Sequence, residues 1–304
     1  MSDNALLCAG RTVIVTGAGR GIGREHALAF AAAGANVVVN DLGVALDGVD
    51  GGETPAEQVV AEIVAAGGKA VVNTDDIADW NGAQRLVEQA VSTFGGLDVL
   101  VNNAGFVRDR MVVNIQEDEW DAVIRVHLKG HAATMKHASA YWRGEHKAGR
   151  PVDARIINTS SGAGLQGSVG QAAYAAAKAG IAALSLTAAA ELARYDITVN
   201  AIAPVARTRM TETVFAADMA APVDGFDAKA PGNVSPLVVW LGSTDSAGVT
   251  GRMFEVEGGM VTIADGWRHG VSVDNGARWE PAKLGVAVRD LLARATPPEP
   301  VFGA

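Results

Sequence analysis

Residues Thr12–Asp41 read TVIVTGAGRGIGREHALAFAAAGANVVVND, and this stretch decides the fold. TVIV is a β-branched run too short to alternate, which suits a strand buried on both faces. It runs straight into a turn with Gly17, Gly21 and Gly23, after which an alanine-rich helical stretch begins. Glycines there permit a tight turn and let backbone amides approach an anion at the positive end of the helix. The second run, NVVVND, places Asp41 at the end of the next strand. A carboxylate in that position can accept both hydroxyls of an adenosine ribose and repels a 2′-phosphate, so Asp41 favours NAD over NADP. Arg20 inside the glycine turn pulls the other way, because an arginine can meet a phosphate.

The same alternation continues outward. Short runs at 69–72, 97–101, 155–158 and 196–199 are separated by helix-length stretches near 56–66, 80–93, 117–142 and 172–194. A further helix near 234–242 precedes a strand at 252–258. The expected fold is α/β, a Rossmann-like doubly wound sheet of seven parallel strands with helices on both faces, and chemistry should gather at the strands' C-terminal ends. Residues 1–258 form one catalytic domain in this reading. A Gly/Asp-rich loop spans 42–55, a mobile flap lies near 207–233, and 259–304 is an extension that should pack on the body or on a neighbouring subunit.

Composition narrows the class. The 304 residues carry a formal charge of -9, which argues against a nucleic-acid partner. A lone cysteine, Cys8, excludes an intrachain disulfide framework. No run of eighteen apolar residues and no signal-peptide pattern is evident, so no membrane insertion and a cytoplasmic location are expected. The six histidines form no metal motif, and no metal is expected.

Tyr174 and Lys178 stand four residues apart in AAYAAAKAG and share one helix face. An ammonium there stabilises the phenolate and can hold ribose hydroxyls. Ser161, just past the fifth strand, can bond the substrate oxygen that Tyr174 protonates or deprotonates; Ser160 is its neighbour in the same run. Asp75 or Asp76, past the third strand, can receive the adenine amino group. Asn102 should lie under the adenosine side and brace the strands.

Five separated motifs, TGAGRGIG, NNAG, the serine, YAAAK and a proline-containing loop after the sixth strand, occur in the order of the short-chain dehydrogenase/reductase family, which residues 10–258 resemble. The resemblance implies Tyr174 as general acid/base, Lys178 as its partner and ribose ligand, and Ser161 as the orienting residue. It assigns Gly17, Arg20, Gly21, Ile22, Gly23, Asp41, Asn102, Ala104 and Gly105 to the cofactor site, with Pro204 and Thr208 of APVARTR beside the nicotinamide. The family's usual Pro-Gly is here Pro204-Val205. Its helix asparagine, which holds a water in a proton relay, is replaced by His127 of RVHLKG.

His127, with VVVNDLG, AGFVRDRM and SPLVVWLGS, sharpens the likeness toward the (3R)-hydroxyacyl-CoA dehydrogenase domain of peroxisomal multifunctional enzyme type 2. That resemblance implies oxidation of a 3-hydroxyacyl-CoA, with a hydroxysteroid or a steroid-derived CoA thioester as the runner-up. Arg207 and Arg209 are expected to meet CoA phosphates, and Met210, Val214, Phe215 and Met219 to line the apolar part of the pocket. A homodimer or homotetramer is expected, because the family assembles so and the alanine-rich Tyr174 helix permits close packing.

Overall fold

The computed structural model describes residues 6–43, 54–208 and 219–302. Within them, β1 (Thr12–Thr16), β2 (Asn36–Asn40), β3 (Lys69–Asn73), β4 (Val99–Asn102), β5 (Ala154–Thr159), β6 (Ile197–Val205) and β7 (Met253–Glu257) pair in parallel. The strand order is 3-2-1-4-5-6-7, followed by β8 (Met260–Ala264). The order reverses between β1 and β4, and a crevice opens there beyond the strand ends.

β8 is the addition. It pairs antiparallel with β7 across Gly258 and Gly259, so the first residues of the extension continue the sheet. Its residues are exposed or half-buried, which hid it from a reading tuned to buried strands.

Burial explains why the strand runs do not alternate. Val13, Val15, Val37 and Val39 pack with Phe30, Ile63, Val238 and Leu241 on one face. Ile14, Val38, Leu100 and Ile156 pack with Leu86, Trp142 and Ala189 on the other. The first layer is made by α1 (Gly21–Ala32), α2 (Pro55–Ala65) and, later in the chain, Ser235–Gly242. The second is made by α3 (Trp80–Phe94), α4 (Glu117–Ile124), α5 (Gly130–Lys147), the short α6 (Gly162–Gln166) and α7 (Ala172–Leu192). Ser235–Gly242 is α8 and the exposed Pro281–Arg294 is α9. Among the described residues, one helical stretch, Ala172–Tyr195, is long and apolar enough to cross a membrane. Its inner face, with Ala177, Lys178, Ile181 and Ser185, is buried against the body.

The helix expected over 117–142 is one rod with a defect. Between α4 and α5, Arg125–Lys129 form a π-helical turn centred on His127. Such a bulge turns one side chain out of register, commonly at a functional site.

Candidate active site

The glycine turn is held from across the switch point. Thr16 Oγ1 accepts from the amides of Asn103 at 3.0 Å and Ala104 at 3.1 Å. Asn103 Nδ2 returns bonds to the carbonyls of Thr16 and Gly17. Gly17 has φ 62° and Gly21 φ 55°, both left-handed, and a Cβ on Gly17 would come within 2.7 Å of Ala104 Cα. A Cβ on Gly23 would run into the Gly17 carbonyl. The N-terminus of α1 has no side-chain cap: Arg20 stands at the N-cap, exposed, with extended backbone. This is a cradle that side chains would fill, opening on uncapped amides, and it fits a dinucleotide pyrophosphate.

Asp41 closes the far end. Its Oδ2 accepts from Gly19 N at 2.9 Å and its Oδ1 from Gly43 N at 3.0 Å, which fixes the carboxylate beside the turn with lone pairs to spare. Asp75 is bonded to Asn73 and Arg85, and Asp76 to Ala78 N and Arg125, so both carboxylates already have partners. Asn102 is fully buried: it donates to Asn158 and accepts from Thr134, bracing β4, β5 and α5 from inside. Its side chain thus shapes the site from beneath. Ile22 packs into the core under the turn, and Thr208 lies opposite Gly21, bringing the end of β6, where Pro204 sits, to the start of α1.

On the other side of the crevice, Ser161 caps α6 and hydrogen-bonds Tyr174. Ser160 is buried and donates to the Lys178 carbonyl at 2.8 Å, which leaves Ser161 as the hydroxyl facing Tyr174. Lys178 is 3% exposed; its Nζ donates to the Thr159 carbonyl at 2.7 Å and lies 5.4 Å from the Tyr174 ring centre. Burial brings the Lys178 ammonium down to about 7. In the chain alone, burial raises the Tyr174 phenol above its ordinary value, and the Ser161 bond offsets part of that. Burial of the phenol itself is the largest influence and Asp109 adds to it, so the lowering expected from the ammonium does not prevail in the chain alone.

His127 packs edge-on against Tyr174, with ring centres 5.3 Å apart. Its Nε2 lies 2.6 Å from the Phe106 carbonyl and 3.0 Å from the Phe106 amide, so it donates to the first in one tautomer and accepts from the second in the other; Nδ1 is buried without a partner. Gly105 is needed here, since a Cβ would strike the imidazole. Burial pulls His127 down to about 3. The ring is neutral at physiological pH and can pass a proton only by exchanging tautomers. His131, one turn on, is fully buried with neither ring nitrogen bonded.

The expected substrate side changes most. Arg207 is not a free cation: it pairs with Asp227, donates to the Met219 carbonyl at 3.2 Å, and its amide bonds the Lys229 carbonyl. These contacts tie the far part of the flap to the end of β6. Met219 is buried beneath that segment. Arg209, Met210, Val214 and Phe215 lie outside the described residues. Among the described residues no group of His, Cys, Asp or Glu gathers as metal ligands. Thr16, Asn103 and Thr159 were not singled out from sequence; Asn103 stood in the NNAG motif, while the other two act through contacts that only the fold creates.

A glycine cradle at the switch point, facing a hydrogen-bonded Ser–Tyr pair over a buried lysine, defines a nicotinamide-dependent oxidoreductase. The chain belongs to the short-chain dehydrogenase/reductase family, whose model, described as short chain dehydrogenase, matches residues 11–218. It is 45% identical to hydroxyacyl-CoA dehydrogenase ChsB1 of Mycobacterium tuberculosis, over 100% of this chain and 95% of that protein. Peroxisomal multifunctional enzyme type 2 of Mus musculus is 44% identical over 83% of this chain, which spans 32% of that longer protein. A crystal structure of a short chain dehydrogenase from Mycobacterium avium superposes with a TM-score of 0.90 at 66% identity, covering 98% of this chain and 100% of that one.

Proposed function

We propose that the chain oxidises a (3R)-3-hydroxyacyl-CoA to the 3-ketoacyl-CoA, with NAD as the cofactor. The observation that carries this reading is the Tyr174–Ser161 hydrogen bond above buried Lys178, at the end of the sheet where the glycine cradle opens. Ser161 orients the substrate hydroxyl, and Tyr174 Oη takes its proton. Lys178, with one hydrogen on Thr159, offers the others to ribose hydroxyls. The bound nicotinamide supplies the hydride acceptor and a positive charge that favours the phenolate. Positioning and charge stabilisation are the protein's share of the catalysis.

Asp41 supports NAD over NADP through like-charge repulsion of a 2′-phosphate. The thioester is supported by likeness to the mycobacterial hydroxyacyl-CoA dehydrogenase over the whole chain, extension included. With Arg207 engaged, Arg108 is a cation suited to the CoA phosphates: it is exposed, stacks 5.1 Å over Phe106 next to His127, and has no acidic partner among the described residues. Self-association as a dimer or tetramer fits the exposed face of α7, where Ala176, Ala179, Ala183 and Leu186 present a mostly small-residue stripe.

The test is a matched panel of 3-hydroxyacyl-CoAs, the free acids, hydroxysteroids and steroid-derived CoA thioesters, assayed oxidatively with NAD and with NADP. The expected result is highest kcat/KM on a hydroxyacyl-CoA and an NAD preference of about tenfold, roughly 1.4 kcal/mol. A tenfold preference for free hydroxysteroids over every thioester would overturn the substrate assignment, and an NADP preference would give Arg20 the deciding role over Asp41.

A further inference from the structure

Among the described residues, the stretch beyond β8 is hydrogen-bonded to the body at one place, the loop between Ser161 and Tyr174. Helix α9 buries none of its residues, and the ion pairs of residues 265–302 are local: Arg268–Asp265, Lys283–Glu280 and Arg294–Asp290. Among the described residues, the hydrogen bonds that join this stretch to the rest of the chain are made by Phe302. Its amide donates to the Gly167 carbonyl at 3.2 Å, and its carbonyl accepts from Val169 N at 2.9 Å. Ser168 and Phe302 thereby form a parallel bridge. Val301 lies over Gly167, and the Phe302 ring lies over Gly162, the residue after Ser161.

The loop is gripped from its other end as well. Arg110 bridges Gln171 and donates to the Gly170 carbonyl at 2.7 Å, while Gln171 Nε2 donates to Asp109. The chain between Ser161 and Tyr174 is thus held between residues 109–111 and residues 301–302.

Gly162 makes the ring's seat possible. A Cβ there would fall 2.9 Å from Phe302 Cε2 and 3.0 Å from Cζ, too close for either to stay. Gly164, two residues on, is pressed against Lys178 and Ala179 of α7, so α6 is clasped between the catalytic helix and the Phe302 ring. The ring itself remains 44% exposed. Among the described residues, a mostly exposed stretch that places an aromatic ring beside the site hydroxyls adds little to the core, and the ring's placement needs another reason.

We propose that Phe302 is a specificity-determining residue, its ring forming one wall of the pocket that takes the apolar part of the alcohol beyond Ser161. This rests on the reading of Ser161 and Tyr174 as the alcohol site. The wall comes from the far end of the sequence, so the depth of the pocket is set independently of the catalytic hydroxyls.

Full-length wild type, Phe302→Ala, Phe302→Leu, Gly162→Ala and the double variant Gly162→Ala/Phe302→Ala are compared on the best bulky alcohol that the wild type oxidises and on a small secondary alcohol. Phe302→Ala should raise KM for the bulky substrate about tenfold, with kcat changed little and NADH affinity unchanged. The small alcohol should not respond, and Phe302→Leu should recover part of the loss. Gly162→Ala should raise the same KM by unseating the ring, and should add nothing in the Phe302→Ala background, because the clash is then gone. A bulky-substrate KM for Phe302→Ala within about twofold of wild type would overturn the proposal, as would additive effects of the two substitutions. Failure of the acyl-CoA reading would show instead in the wild type, as better turnover of a hydroxysteroid, and the same comparison is then made on that steroid.

Discussion

The two sides of the crevice are built on different principles. The cofactor side is made from two short stretches, 12–41 and 102–105, locked together by Thr16, Asn103 and the Gly19–Asp41 bond. At Gly17 and Gly23 neighbouring backbone leaves no room for a side chain. The opposite side, which we propose takes the substrate, is assembled from stretches far apart in sequence, 106–116, 161–171, 219–230 and 301–302, and it leaves Met111, Val112, Val113, Val223, Phe226 and Phe302 exposed. A site for one invariant ligand can be rigid and locally encoded. A site that selects among related alcohols carries apolar surface waiting for its ligand.

The sharpest way to separate the two sides is to remove one oxygen between them. Tyr174→Phe should lower kcat by about 10³-fold, within the range of a lost general acid–base group, while NAD affinity stays near wild type. Steady-state rates with calorimetric cofactor binding check both halves of the expectation. Comparable turnover in the two proteins would remove Tyr174 from the chemistry.

Acid should act on both sides at once. His26, on the buried face of α1 and bonded to Ser235, and His127, beside Tyr174, are both held near 3 by burial, and His131 lies well below its ordinary value. Each folded-state value is lower than the unfolded one near 6.5, so in that window the unfolded chain binds more protons and stability falls as pH falls. The loss begins near pH 6.5 and continues toward pH 3 at about 1.4 kcal/mol per pH unit for each histidine. Urea unfolding at pH 7 and pH 5 should show a smaller drop for His26→Gln than for wild type, by about 2 kcal/mol. Equal drops would mean that His26 is not buried in its neutral form.

Glycine substitutions test the contrast in construction. Gly23→Ala must push against the Gly17 carbonyl and should cost about 1–3 kcal/mol, with a matching loss of cofactor affinity. Gly266→Ala, in the extension, meets nothing within 4 Å and should leave stability and cofactor binding alone. Thermal shift with and without NAD measures the pair; similar effects at the two positions would refute the idea that the cofactor turn, unlike the extension, is packed against backbone.

What could be read from sequence follows the same division. The glycine turn, Asp41, Ser161 and the Tyr174–Lys178 pair were legible because each sits within a few residues of the strand or helix that positions it. The doubly wound sheet was legible because strands buried on both faces show continuous apolar runs. β8 was not, since its exposed Met260, Val261 and Ile263 mimic no buried strand. The π turn at His127 has no periodic signature strong enough to mark it inside a continuous helical stretch. Phe302 was invisible because its meaning comes wholly from a partner, Gly162, that is far away in sequence and adjacent only in the fold.

Arg207 shows the same limit in a charged residue. Read alone, an arginine in the flap is a phosphate ligand; in the fold its guanidinium is engaged by Asp227 and the Met219 carbonyl, with 20% of the side chain exposed. A latch and a ligand give different patterns. If Arg207 holds the flap, Arg207→Gln and Asp227→Asn should each weaken kcat/KM by a few-fold, about 0.5–1 kcal/mol, on CoA thioesters and on steroids alike, and the double variant should be no worse than either. If it meets the phosphates of CoA, Arg207→Gln should harm thioesters alone and Asp227→Asn should improve them by freeing the cation. Partial exposure of both partners and screening by salt keep the expected effect small, so the cycle belongs at low ionic strength, where an ion pair of this kind is strongest.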